Sequence, residues 1–384
     1  MDNVSIVKCG SYETEAVSQA VSDAVSHLGG IDKFVQPGDK VLLKVNLLLP
    51  RRPDKVTTTH PAVAAAVAKL VKKAGGIPII GDSPGGTHFY TAKTLAHVYN
   101  SCGMKEAAEA TGATLNESVE VVDMPYPDGK ILKSVKVIKA VLDVDKIINI
   151  PKIKTHMMAV FSGAVKNMFG IVPGSYKAEY HIRFDDLHDF ADVLIDLYEF
   201  KKPVLNIIDA IIGMEGYGPT NGSPKQIGLI IASPSAYALD AAASSIIGLK
   251  PGQVPTVIKA YERGLGPCSH ENVNIFGEEI NSVLISDFRK PTVRVDFNIY
   301  NIFLPKFLTK RLSYGFRPYP SFNLKTCKGC AMCAKSCPPL AIIMQNDKPV
   351  VDLKKCIRCF CCHELCEFDA VRIKRPWWLK LFLK

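Results

Sequence analysis

Cys327-Lys328-Gly329-Cys330-Ala331-Met332-Cys333-Ala334-Lys335-Ser336-Cys337-Pro338 and Cys356-Ile357-Arg358-Cys359-Phe360-Cys361-Cys362-His363-Glu364-Leu365-Cys366 repeat one spacing, C-x2-C-x2-C-x3-C. A cubane cluster needs four thiolates converging on a small volume. Three closely spaced cysteines wrap one face of it, and the fourth of each run reaches across to the other cluster. The spacing therefore predicts two [4Fe-4S] clusters, one on Cys327, Cys330, Cys333 and Cys366, the other on Cys356, Cys359, Cys362 and Cys337. A zinc knuckle or a disulfide framework fits poorly, since zinc sites close with ligand pairs at longer separation and often use histidine.

Around these runs the segment resembles bacterial two-cluster ferredoxins. Pro338 follows the fourth cysteine, Ala341-Ile342-Ile343 leads into a turn at Asn346-Asp347, and Val350-Val351 returns before the second run. Glu367 stands where that family's second motif usually has proline; the change touches the local turn, solvent access or potential, but removes no ligand. Of the remaining cysteines, Cys9, Cys102 and Cys268 read as inert buried thiols. Cys361, among the ligands, reads the same way or as a redox-sensitive neighbour of a cluster.

Outside the module (residues 321–374) lie a linker, 297–320, and a tail, 375–384. The linker is aromatic, apolar and basic, with Lys306, Lys310, Arg311 and Arg317. The chain's end joins Trp377 and Trp378 to Arg372, Lys374, Arg375, Lys380 and Lys384, a composition suited to peripheral contact with an anionic membrane. Packing on the large domain or docking a partner is the plainer expectation, because one short segment is a weak anchor.

A chain of 384 residues accommodates a large α/β domain, here 1–296, plus the small module. The N-terminus lacks the basic start and apolar stretch of a secretory signal. No uncharged apolar run reaches bilayer-spanning length. These features predict a cytoplasmic protein, where thiols stay reduced, with a peripheral position at the inner face of the membrane as the alternative. The formal charge of +10 falls to about +6 once two clusters bring their net negative charge. A mildly basic protein suits a small anionic ligand or a membrane surface. Nucleic acid is not expected, because the cations are spread along the chain without a binding motif.

From Asp2 to Lys290, short β-branched runs alternate with helical patterns, predicting an α/β fold, a mostly parallel sheet covered by helices, followed by a small α+β ferredoxin-like domain. Strands are read at Val41-Leu42-Leu43, Ile77–Ile80, Ile147–Ile150, Val204–Ile208 and Leu229–Ala232, and a helix from Pro61 to Lys73 stopped by Gly75-Gly76. Polar residues follow these strands: Lys44 and Asn46; Asp82 and Ser83; Lys152, Lys154 and His156; Asp209; Ser233. Ligands of open α/β sheets bind beyond the carboxyl ends of the strands. Lys166 and Asn167 interrupt an apolar stretch between Gly163 and Gly170, and Lys177, His181 and His188 come after it. A glycine-rich segment, Gly213 to Gly222 with Glu215, reads as a flexible loop. Each residue also has a structural reading: His60 before Pro61 as an N-cap, Asp82 as a turn cap, Asp209 as a local ion pair. Neither a P-loop nor a Rossmann glycine fingerprint is present.

Lys44-Val-Asn46, Gly81-Asp82-Ser83-Pro84, Pro151-Lys152-Ile-Lys154-Thr-His156, Gly163-Ala-Val-Lys166-Asn167 and Gly213-Met-Glu215-Gly216 together resemble the domain of unknown function 362 family. Members often carry a C-terminal ferredoxin-like module, so the resemblance implies cluster binding and a shared pocket without naming a substrate. The expected function is an iron-sulfur oxidoreductase of anaerobic type. It would exchange low-potential electrons with a donor or acceptor protein and pass them to a small anion in the large domain. Lys44, Lys152, Lys154 and Lys166 would hold the anion; Asn46, His60, Ser83 and Asn167 would line it; His156 or His181 would donate the proton. Asp82, Asp209 and Glu215 would orient groups or bind a metal. The alternatives are a non-catalytic electron-transfer or assembly subunit, and a non-redox enzyme with sensory clusters.

Overall fold

The computed structural model describes residues 1–85, 90–174, 176–184, 186–291 and 318–374. The linker falls largely, and the tail wholly, outside these residues. The large domain's strands are β1 (Asp2–Lys8), β2 (Lys40–Lys44), β3 (Ile77–Gly81), β4 (Thr114–Leu115), β5 (Val121–Pro125), β6 (Ser134–Ile138), β7 (Lys146–Asn149), β8 (Lys152–His156), β9 (Val160–Ser162), β10 (Leu205–Glu215), β11 (Ser223–Ser233) and β12 (Val273–Gly277). The main sheet runs β12-β1-β11-β10-β7-β2-β3-β4. The block from β10 to β4 is parallel, whereas β11 runs antiparallel to both β10 and β1. The sheet is therefore mostly parallel but mixed. β10 and β11 are joined by a short turn, which permits only an antiparallel pair; parallel pairs need a crossover.

Helices α1 (Thr14–Ser26), α2 (Pro61–Lys73), α3 (Ala92–Ser101) and α4 (Met104–Thr111) share one core; α5 (Ala164–Asn167) and α6 (Tyr176–Arg183) follow β9. On the other face pack α7 (Leu187–Phe200), α8 (Ala236–Ile246) and α9 (Pro255–Glu262). Strand side chains alternate between faces. Leu43, Ile148, Ile207 and Ile230 join Val21 and Val67 in one core, while Leu42, Ile147, Ile208 and Ile231 join Phe190 and Leu194 in the other. Burial on both sides is why these strands read as unbroken apolar runs.

Three sequence-based expectations change. Asp209 lies inside β10, which continues to Glu215, so the expected loop at Gly213 is strand as far as Glu215. Lys152, Lys154 and His156 form their own strand, β8, parallel to β10 and antiparallel to β9. β8 covers the flank of β10 and supplies it with partners, so the chain stays extended where glycines read as flexible.

In the module, β13 (Tyr319–Phe322) pairs with β16 (Val371–Lys374), and β14 (Ile342–Gln345) with β15 (Lys348–Val351). Asn346 and Asp347 both take positive φ, 48° and 57°, the hairpin turn that side chains of this type tolerate. One-turn helices Met332–Lys335 and Cys361–Glu364 sit in corresponding places of the two cysteine runs.

Candidate functional site

Parallel register sets Lys44 beside Gly81 and Asn149, and Asn149 beside Asn206. Asp82 thus emerges next to Lys44. Lys44 Nζ lies 2.7 Å from Asp82 Oδ1 and donates to the carbonyls of Val45 (2.9 Å) and Asn167 (3.0 Å). Asp82 also accepts from the backbone N–H groups of Leu47 and Ser83, each at 2.8 Å. A Cβ on Gly170 would collide with both members of this pair, which explains glycine there. Desolvation holds the Lys44 ammonium below the usual lysine range although Asp82 opposes it.

An asparagine chain crosses the strand ends. Asn46 Nδ2 donates to Asn167 Oδ1 (2.9 Å), Asn167 Nδ2 to Asn149 Oδ1 (2.7 Å), and Asn149 Nδ2 to Asn206 Oδ1 (2.9 Å). α5, which carries Lys166 and Asn167, is anchored by Asp240, accepting from Ala164 N at 2.6 Å and Val165 N at 3.1 Å. Gly163 leaves room for that carboxylate. Burial pushes the Asp240 carboxyl up to about 7.

Several expected site residues are not brought to the cavity described below. Lys152 Nζ pairs with Asp209 Oδ2 (2.9 Å) and donates to Tyr12 OH (2.6 Å), while Tyr12 OH donates to Asp209 Oδ1 (2.9 Å). His60 stacks on Tyr12 at 3.6 Å and gives its backbone N–H to Asp209. Its ring caps α2, with Nδ1 accepting from Ala62 N (3.2 Å). This closed buried cluster ties β1's exit to β8 and β10. Glu215 binds the Arg289 backbone N–H and Nε. Asp82, Asp209 and Glu215 are thus each committed to a different cation, and among the described residues no three His, Cys, Asp or Glu stand close enough to hold a single metal ion.

The others gather. A cavity of about 380 Å³ opens between the strand ends and the module, bordered by Asn46, Asp82, Ser83, Lys154, His156, Lys166, Asn167, Lys177 and His181 on one side and by Cys337, Leu340, Cys361 and Glu364 on the other. Lys177 Nζ is spent on Ser83 O, Ser83 Oγ and Pro84 O, at 3.0 to 3.1 Å. Lys154 Nζ donates to Asn46 Oδ1 and Thr57 O, both at 2.7 Å, which leaves one N–H. Lys166 makes only a cation–π contact, 5.6 Å to the Phe169 ring, among the described residues. Burial lowers all three lysines, Lys154 and Lys177 to about 7; for Lys154 the neighbouring Lys166 and Lys152 add to it.

His156 Nδ1 accepts from the N–H groups of Met158 and Ala159, both at 3.1 Å, so the proton of a neutral ring sits on Nε2. Nε2 lies 3.3 Å from Glu364 Oε1, a buried oxygen without a hydrogen-bond partner among the described residues. Burial raises the Glu364 carboxyl to about 7, against the pull of Lys166 and Lys154. His181 stacks on Phe190 at 4.8 Å on the cavity wall.

These values fix a pH dependence. Sulfate, whose charge is constant near neutrality, should bind more weakly as pH rises from 6 to 8, because Lys154 loses its proton near 7. The expected loss is roughly tenfold, the ~1.5 kcal/mol of one charge-assisted hydrogen bond. Calorimetric titration at several pH values checks this, and a flat profile in the wild-type protein would rule it out.

The cysteines fall into two groups. Cys327, Cys330, Cys333 and Cys366 border one small apolar cavity with Phe322, Met344 and Phe368. Cys366 comes from the second run, so the chain brings the crossed set together. Cys337 likewise lies within electrostatic reach of Cys356 and Cys359. Ala341 N donates to Cys337 Sγ and Ala370 N to Cys366 Sγ, both at 3.2 Å, contacts that stabilise negative sulfur. The donor chemistry and these backbone amides fit thiolate-bound iron. Cys330 is exposed, whereas Cys337, Cys356, Cys359 and Cys362 are buried, and Cys337 borders the large cavity.

Sequence reasoning left out Asn149, Asn206, Tyr12, Glu364 and the cavity-facing position of Cys361. The asparagines carried a signal, a polar residue inside the apolar runs Ile147–Ile150 and Val204–Ile208. Glu364 and Tyr12 carried none, since only packing brings them to their partners. The module is held to the large domain partly through Arg51 donating to Cys366 O (3.3 Å) and Asn221 to His363 O (2.9 Å).

Comparison with known proteins gives the following. Residues 41–245 match the family described as a domain of unknown function (DUF362), and residues 319–367 match a 4Fe-4S dicluster domain. A thylakoid-associated protein of Synechocystis sp. is 36% identical over 271 residues, 70% of this chain and 82% of its own. Among solved structures, the lactate racemase apoprotein of Thermoanaerobacterium thermosaccharolyticum is 14% identical, with TM-score 0.38 over 64% of this chain and 57% of that one. A Thermotoga maritima protein is also 14% identical, with TM-score 0.34 over 58% and 56%. The chain thus spans little more than half of either structure.

Proposed function

Because the chain belongs to the domain of unknown function 362 family and ends in a 4Fe-4S dicluster domain, we propose that it is an iron-sulfur oxidoreductase acting on a small anion held in the cavity between its two parts. The observation that carries this reading is Lys166, an enclosed ammonium that forms no salt bridge among the described residues and feels Glu364 only at longer range, in a cavity whose far wall is Cys337, Cys361 and Glu364. A desolvated cation without a direct ion pair is costly, and a bound anion lowers that cost.

When bound, the two clusters supply single electrons at low potential. The chain's own residues do the rest. Lys166 and the remaining N–H of Lys154 hold the anionic group, with Asn46 and Asn167 fixing Lys154 and the strand ends around it. His156 Nε2–H faces Glu364 Oε1 and keeps its own proton, and the Glu364 carboxyl, raised to about 7, is the proton donor at the cavity edge; His181 is the second proton source on the wall. Exposed Cys330 suits the approach of a low-potential partner protein, and Cys337 of the buried set borders the cavity. No helix among the described residues is long and apolar enough to cross a membrane. A cytoplasmic protein with peripheral membrane contact through the basic, aromatic tail suits that composition and the thylakoid association of the relative.

The test is anaerobic purification with iron and sulfide analysis, followed by mass spectrometry of small molecules released on denaturation. About eight iron and eight sulfide are expected, with an anion that K166Q retains at least tenfold less. Filled clusters without an anion in either protein would favour a non-catalytic electron carrier. Zinc without sulfide would overturn the reading.

A further inference from the structure

We propose that the ligand of the large cavity is an amphiphilic organic acid, a carboxylate on an apolar chain or ring, with its charged head at Lys166 and its apolar body running out between Ile182 and Leu340. The inference names the substrate class of the site proposed above and so rests on that reading.

The lining reverses the usual order of a folded chain, in which apolar side chains are buried and charged ones exposed. Lys154, His156 and Asn167 border the cavity and are almost wholly buried. The large apolar side chains that border it most openly are Ile182 on α6, 46% exposed, and Leu340 of the module, 74% exposed. Exposed Glu179 and Lys335, one of each sign, also border it and add no net charge to the rim. Phe169 carries the apolar wall inward: its ring lies 5.6 Å from Lys166 Nζ and meets the ring of His181, the residue before Ile182, edge-on at 5.7 Å.

Single exposed aliphatic side chains are ordinary, but Leu340 is held there against two preferences. The module's internal repeat supplies the comparison. Leu340 stands three residues after Cys337, as Asp369 does after Cys366, and both take left-handed backbone, φ 52° and 49°. Aspartate tolerates that conformation, whereas a bulky apolar side chain rarely adopts it. The half that borders the large cavity is the one with leucine. A residue that is both strained and exposed gains nothing from the fold, and an apolar ligand body supplies the missing contact.

The floor sets the head group. Its available donors are the Lys166 ammonium, which forms no salt bridge among the described residues, and one N–H of Lys154. The Asp82 and Glu364 carboxyls border the same space. This set suits the single charge of a carboxylate better than the double charge of a phosphate. The volume, about 380 Å³, lies within the about 300–1,000 Å³ of small-molecule sites, far more than an inorganic anion fills.

The experiment is calorimetric titration of the anaerobic, cluster-loaded full-length protein at pH 6 with acetate, butyrate and hexanoate, each alone and in competition with sulfate. Each buried methylene tightens binding roughly fourfold, so hexanoate should bind at least about tenfold tighter than acetate and displace sulfate. In I182Q/L340N, where asparagine keeps the left-handed backbone, that ratio should fall to about twofold or less. K166Q should weaken both acids and keep the ratio. Equal affinity along the series, or an undiminished ratio in I182Q/L340N, would overturn the proposal. Hexanoate that binds without displacing sulfate would be an adventitious additive only, and would overturn it too. Sulfate binding with no gain along the series leaves the anion site standing without this ligand class; binding of neither sulfate nor any acid, at full iron and sulfide, overturns the site itself.

Discussion

Replacing Asp82 by alanine is expected to destabilise the large domain by about 3–5 kcal/mol, the cost of leaving one member of a buried ion pair without its partner. Lys44 has no solvent-exposed side-chain surface, and burial already disfavours its ammonium. Removing Asp82 would leave it only the carbonyls of Val45 and Asn167 and would strip the Leu47 and Ser83 N–H groups of their acceptor. The double variant K44M/D82L, which removes both charges, should recover most of the loss, because apolar replacement of a whole buried pair is often neutral. Denaturant midpoints of the anaerobic, cluster-loaded proteins measure both. A cost below about 1 kcal/mol for D82A would mean that the site is far wetter than its burial indicates.

The second large effect concerns the crossed cysteines. C337A should lose about half of the iron, from about eight atoms to about four. The surviving EPR signal should match that of C359A, although Cys337 belongs to the first run. C330A and C366A should form the other matching pair. The reason is spatial: Cys366 borders the same small cavity as Cys327, Cys330 and Cys333, while Cys337 is grouped with Cys356 and Cys359. If C337A gave the spectrum of C330A, each run would close its own cluster and the assignment would be wrong.

The legible parts of this protein were those in which short-range pattern carries the physics. Pro61 through Lys73 reads as a helix because Pro suits its first turn and glycine follows its end, and α2 runs over those residues. The strand cores at 41–43, 77–80, 147–149, 205–208 and 229–232 were legible because burial on two faces makes them largely apolar. Lys44 and Asp82 were legible as neighbours because parallel strands bring their carboxyl ends to one edge, where α5 places Asn167. Lys152 and Asp209 looked equivalent to them, yet β8 pairs along β10 and turns both into a sealed cluster with Tyr12. A polar residue after a strand reads the same whether it meets a ligand or a counter-charge. What decides between them is a register set by contacts many residues apart.

By itself the sequence determined the cysteine spacing, the hairpin between the runs, the alternation of strands and helices and the residues available at the strand ends. All are local consequences of residue spacing and backbone preference. Only the tertiary structure decided that Lys166 forms no salt bridge among the described residues while Lys44 and Lys152 are paired, and that Glu364 and Cys361 of the module close the cavity opposite it. Charge compensation depends on which side chains meet within a few ångströms. Residues separated by about 200 positions meet here only because the module packs on the strand ends.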